Sequence, residues 1–241
     1  MDEQQLTDIR TYLLDKKLPI DILVEVYDHF ISQISELQKE EGLGFDEAVA
    51  KVKGSWQDEL RFYSDGSWDL NDNSKFLRKM YLIINRGILK KMLSAGGAVI
   101  LALFITAQIS NAAVFRYLLT ATMVLLTIFP LVHYLRHRAD YNLTKKYNKY
   151  VLTYYQHSSA IFCSTFALLL PNLDRIYHNS DSILAVFRFS QSAVGIEDSA
   201  FFWSVFLFII FGNALVFIIQ LNYRTQIHKV KPFLKFLQPK A

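Results

Sequence analysis

Two long apolar runs, Tyr117–Leu135 and Val151–Leu170, are joined by a basic hinge, Arg136–Lys149. At about 1.5 Å per residue, helical runs of 19 and 20 residues are long enough to cross a hydrocarbon core. The hinge carries Arg136, Arg138, Lys145, Lys146 and Lys149, and short loops rich in Lys and Arg stay on the cytoplasmic side. This hairpin predicts an integral membrane protein and orients it. Two further runs, about Met92–Ser110 and Phe201–Leu221, complete an expected membrane domain over residues 92–221 with four spans, near 92–110, 117–135, 151–170 and 201–221.

Charge decides the topology. The segment 75–91 holds six Lys/Arg, the hinge five and the tail 222–241 five, whereas the loops Asn111–Arg116 and Pro171–Ala200 hold one and two. Four spans with both termini in the cytoplasm satisfy every loop. The formal charge of +4 conceals a division. Residues 1–65 carry 15 Asp/Glu against 7 Lys/Arg, a balance of −8, and residues 66–241 carry 7 against 19, a balance of +12. The basic excess therefore flanks the spans, and nucleic acid is not an expected partner, because the acidic segment would repel phosphates. The start, Met1-Asp2-Glu3-Gln4-Gln5, has neither the basic nor the apolar region of a signal peptide. The single cysteine, Cys163, lies in an apolar run and implies no oxidising compartment.

Residues 1–65 predict a small acidic three-helix cytoplasmic domain. Leu6, Ile9, Leu13 and Leu14 share one face of a helix over about Glu3–Lys16, which Leu18-Pro19 ends. Leu23, Val26, Tyr27, Phe30, Ile34 and Leu37 form a stripe over about Ile20–Glu41. Gly42 and Gly44 close it. Ala48, Val49, Val52, Trp56 and Leu60 repeat the pattern over about Asp46–Phe62. Residues 66–74 are polar and turn-rich, a linker. Residues 75–91 predict a basic amphipathic helix at the membrane interface.

Leu18-Pro19, Glu25-Val26-Tyr27-Asp28-His29-Phe30, Gly42 and Phe45-Asp46-Glu47-Ala48 resemble the HAAS-type helical signalling domain, also described as a permease prefix, over roughly residues 5–62. The chain departs from that pattern at Lys53-Gly54-Ser55-Trp56, where the family has a Leu-Gly-like step. The resemblance implies a cytoplasmic protein-interaction module on a bacterial cytoplasmic-membrane protein, with Asp28-His29 part of the domain's signature and not an acid–base pair.

Few residues suggest chemistry, and no enzyme is expected. His133 and His137 stand four apart on one helical face near Asp140, so two imidazoles could grip a metal. Flanking Arg136 and Arg138 disfavour a bound cation and point to an interfacial polar cap instead. His133 with His157 would be the pair for an intramembrane haem, against a bland reading as hydrogen-bonded packing groups. No cofactor is expected. In the third run, Gln156, His157, Ser159 and Ser164 form a polar face that should turn towards other helices, as packing or as a small-molecule pathway. Ser94, Ala98 and Ala102 recur at four-residue steps, where a neighbouring helix could approach closely. No Asp, Glu, Lys or Arg falls inside a span, which argues against an ion-coupled transporter. Asn142-Leu143-Thr144 matches a glycosylation acceptor only by letter, since it lies on the cytoplasmic hinge.

The expected function is a membrane-anchored signalling, regulatory or adaptor protein, with membrane lipid and another protein as its partners. Asp21, Glu25, Asp28 and Glu36, with Gln33, border the apolar stripe of the second helix and form the candidate partner-binding surface for a basic partner. The alternatives are an accessory subunit of a permease or transporter, and an intramembrane haem or metal protein.

Overall fold

A computed structural model describes residues 1–63, 73–156, 169, 171–190 and 199–238. Their regular secondary structure is helical apart from a two-residue antiparallel pair, Phe62–Tyr63 (β1) with Asn73–Ser74 (β2). The helices are α1 (Glu3–Leu14), α2 (Ile20–Glu40), α3 (Phe45–Leu60), α4 (Lys75–Ile109), α5 (Ala112–Arg136), α6 (Arg138–Lys146), α7 (residues 171–178), α8 (Ser180–Phe187) and α9 (Ser199–Val230). Three stretches are long and apolar enough to cross a membrane: Lys75–Ile109, Ala112–Arg136 and Ala200–Phe236. The chain divides into two compact units. The first gathers Met1–Arg86, Asn142–Tyr154 and Thr225–Ala241, and the second Gly87–Tyr141 and Tyr155–Arg224.

In the first unit, α1 is set by a capping box. The Asp2 carboxylate accepts from the Gln5 N–H at 2.8 Å, and the Gln5 side chain accepts from the Asp2 N–H at 2.9 Å. Pro19 stands just before α2, where a missing N–H costs nothing. Gly42 turns the chain between α2 and α3 at φ +67°, a conformation that disfavours any side chain. Ile9 and Leu13 of α1, Leu23, Val26, Phe30 and Ile34 of α2, and Ala48, Val52 and Leu60 of α3 are buried. The half-buried Trp56 ring lies 5.4 Å from Phe30 and 5.6 Å from Phe76, and its Nε1–H donates to Gln33 Oε1 at 2.9 Å.

This unit takes in more chain than residues 1–65. The first N–H groups of a helix have no partner within it. Those of Ile20 and Asp21 donate to the carbonyls of Val151 (2.8 Å) and Leu152 (3.2 Å). Val151–Thr153 are therefore non-helical, and the expected third span does not begin at Val151. Its residues 157–168 and 170 lie outside the described residues. The basic tail also packs in this unit. Helix α9 continues to Val230, and a 3-10 turn follows over Lys231–Phe236. Ile227, Val230, Phe233 and Leu237 are buried. Phe233 meets Tyr27 edge-on at 6.3 Å, and the Arg10 guanidinium stands 3.5 Å from the Phe236 ring centre.

Helix α4 runs unbroken from Lys75 through Met92 to Ile109. Asn111 caps α5 by accepting from the Val114 N–H at 2.9 Å, which shortens the expected loop. The core holds Leu103 and Ala107 of α4, Phe115, Leu119 and Met123 of α5, and Phe202, Phe206, Ile209 and Ile210 of α9. Gly96 is buried against the Phe211 ring, with no room for a Cβ. Ser94, Ala98 and Ala102 are exposed, so the close approach uses a different face of α4 from the expected one. Leu101, Ile105, Leu125, Ile128 and Phe129 are also exposed, as suits helices surrounded by hydrocarbon.

Helix α9 runs parallel to α5, with Asn213 beside Thr127, Phe217 beside His133, and Tyr223 bonded to Asp140. Helix α8 packs at the N-terminal end of α5. Arg116 donates to Ser180 Oγ at 2.8 Å and pairs with Asp181 at 2.7 Å. Arg188 donates to the Ala107 and Ser110 carbonyls, closing the C-terminal end of α4.

Candidate functional site

The candidate partner surface lies on α2. Positions 21, 25, 28, 32 and 36 follow the helical repeat and make one stripe. The structure treats its members differently. Asp21 is 5% exposed, so it is not part of an open surface. Its Oδ1 accepts from the Ile22 N–H at 3.0 Å and its Oδ2 from the Tyr154 N–H at 3.3 Å. Burial pushes its carboxyl up to about 6, against the pull of the Tyr154 and Ile22 N–H groups. Glu25 is exposed and pairs with Lys229 at 3.2 Å. Asp28 and Glu36 are exposed. The acidic stripe is thus covered at its N-terminal end by the chain itself and open at its C-terminal end.

At that open end a groove of about 280 Å³ lies between α2 and α3. Gln33, Glu36, Leu37 and Glu40 line one wall, and Lys51, Val52 and Ser55 the other. Gln33 is held by Trp56, which fixes the upper edge. Lys51, the cation among the described residues that line the groove, is drawn to Glu41 at 2.6 Å. Glu36 and Glu40 are four apart, so like charges share one face at a cost of a few tenths of a kcal/mol. A positive group seated in the groove would relieve that repulsion, and Leu37 and Val52 would meet its apolar neighbours.

No protein-family profile, curated protein or solved structure matches this chain. The site is therefore read from its own residues.

The other candidates divide. The structure brings His133 and His137 together, their ring centres 4.7 Å apart and the His133 ring edge-on to Phe217. Among the described residues no third His, Cys, Asp or Glu joins them to make a metal-ligand group. Gln156 is half-buried, while His157, Ser159 and Ser164 lie outside the described residues. Sequence reasoning missed Glu40 and Lys51, which become neighbours only when α2 and α3 pack. It also passed over Asn213 and Gln220, two buried amides within the apolar run Phe201–Leu221.

Proposed function

We propose that the chain is a membrane-anchored regulatory or adaptor protein whose N-terminal helices present a cytoplasmic interaction surface. The observation that carries this reading is the acidic groove: Glu36 and Glu40, which form no ion pair among the described residues, stand on one helical face beside the apolar Leu37 and Val52. A basic segment of a partner protein fits that chemistry, and the resemblance of residues 5–62 to HAAS-type domains points the same way. Four spans, with both termini and the hinge in the cytoplasm, agree with the Lys/Arg counts. The parallel run of α5 and α9 supports a further crossing. The chain leaves α5 at its C-terminal end, yet the Tyr177 ring lies 6.5 Å from Tyr117, near the N-terminal end.

The test is crosslinking and pull-down of the full chain from native membranes, wild type against Glu36→Lys with Glu40→Lys. Normal insertion with loss of the crosslinked protein supports the groove. Retention of the same crosslinks in the variant refutes it.

A second reading, an accessory subunit of a permease or transporter, is favoured by the exposed stripe Ser94, Ala98 and Ala102 on α4. Small residues left facing outward suit a helix of another membrane protein. Crosslinks that map to residues 94–102 and survive the groove variant would select it.

A further inference from the structure

An apolar cavity of about 320 Å³ lies among α4, α5 and α9, with Ala95, Pro130 and Phe217 on its three walls. Ala95 and Phe129 are exposed, so it opens on the hydrocarbon around the helices. Each wall leads to a cation at the same end. Residues three or four apart share a face of a helix. On α5 the face runs from Pro130 through His133 to Arg136, and on α9 from Phe217 through Gln220 to Arg224. The His133 ring meets Phe217 at 5.7 Å, which keeps these two faces level. Helix α4 joins α5 through a tight turn at Ser110 and Asn111 and runs antiparallel to it, so Lys91, four before Ala95, falls at this end too. Side chains lean towards the N-terminus of their helix. Arg136 and Arg224 therefore lean back towards the cavity, and Lys91 leans out of it towards them. The charged neighbours that bear on the His133 ring are His137, Arg224 and Arg136, with no carboxylate among the described residues. Lys91, Arg136 and Arg224 are exposed and form no ion pair among the described residues. Asp140, the carboxylate nearest in the sequence to Arg136, offsets one charge and leaves the cluster positive.

We propose that this cavity and its cationic end bind one phospholipid whose headgroup carries a net negative charge. An acyl chain fills the apolar walls, and the headgroup phosphate sits between Arg136 and Arg224 with Lys91 beside it. A guanidinium fork matches two phosphate oxygens, and basic groups between spans at the interface are where acidic headgroups are held. Pro130 and Arg136 are about 9 Å apart along α5, a distance that a glycerol ester and its first methylenes cover. A zwitterionic phospholipid brings a cation of its own into the same cluster, so the charge selects against it. The site is set apart from the groove between α2 and α3 and does not depend on what binds there.

The experiment uses the full chain in phosphatidylcholine nanodiscs that contain a small share of one photoreactive lipid. The two probes have the same acyl chains, with the reactive group at mid-chain, and differ only in being phosphatidylglycerol or phosphatidylcholine. The expected result is labelling at Phe129 and Phe217 roughly five- to tenfold stronger with phosphatidylglycerol, against nearly equal labelling at Leu101 and Ile105, which are exposed on α4. Arg136→Gln with Arg224→Gln should bring the ratio at Phe129 and Phe217 down to that at Leu101, and Ala214→Phe, which fills the cavity, should weaken labelling there by both probes. The comparison of two probes at two places on the wild type needs no variant to fold. Equal labelling by both probes at Phe129 and Phe217 would mean a groove for any acyl chain and would overturn the proposal. A phosphatidylglycerol preference of the same size at Leu101 and Ile105, which is only the general attraction of a basic protein, would overturn it too. So would a preference that survives the double variant, or a crosslinked second copy that excludes both probes.

Discussion

The Asp21 carboxylate accepts a hydrogen bond from the backbone N–H of Tyr154, 133 positions later in the chain, at 3.3 Å. Around it the Ile20 and Asp21 N–H groups reach the Val151 and Leu152 carbonyls. These bonds tie the start of α2 to the segment that follows the basic hinge. A carboxylate serves as the tie at the cost of burying its charge.

That cost makes the tie pH-dependent. The Asp21 carboxyl lies near 6 in the folded chain, against 3.8 for the free group. Between those values the folded state holds the proton and the unfolded state does not, so stability falls as pH rises from about 4 to about 6 and then levels off. The loss is on the order of 3 kcal/mol. Asp21→Asn keeps an oxygen for the Tyr154 N–H and carries no charge. Protection of a peptide covering Ile20–Val24, with exchange corrected for its intrinsic pH dependence, should rise on acidification in the wild type and stay flat in the variant. Parallel profiles would show that Asp21 is not the titrating group.

The aromatic stack under the groove sets an order of severity. Phe30→Ala should cost about 3–5 kcal/mol, since the ring is fully buried. Trp56→Ala should cost less, because Trp56 is half-buried. Trp56→Phe should cost about 1 kcal/mol for the lost bond to Gln33. Chemical denaturation of the full chain, read by exchange in α2 and α3, checks this. An order with Trp56→Ala above Phe30→Ala would show that the core is centred elsewhere.

Gly96 sets the approach of α4 to Phe211 of α9. Gly96→Ala should lower the thermal midpoint in detergent by several degrees, and Gly96→Ala with Phe211→Ala should recover part of that loss. The double-mutant cycle measures it, and a coupling energy indistinguishable from zero would rule out that contact.

Orientation is open to direct measurement. In a background lacking Cys163, cysteines at Asp181 and Lys149, both exposed, should differ towards an impermeant thiol reagent added from outside. Position 181 should react and position 149 should not. Reaction at 149 alone would invert the topology drawn from the Lys/Arg counts.

What local sequence determined is what depends on near neighbours in the chain. The apolar stretches of α4, α5 and α9 follow from run length, because every backbone group in hydrocarbon must be bonded within its own helix. The stripes of α1, α2 and α3 follow from the 3.6-residue repeat, and Pro19 and Gly42 mark where helices stop. Tertiary structure decided which element covers each surface. Periodicity says that a side chain must leave water and not what shields it. Ser94, Ala98 and Ala102 are also small, yet α9 packs against Gly96 because Phe211 needs a site with no Cβ. Asp21 and Glu25 look alike on a helical wheel, and one is buried because unbonded N–H groups at the start of α2 draw in Val151 and Leu152. Those N–H groups belong to the backbone, so no side chain marks the place where a segment more than a hundred residues away will dock.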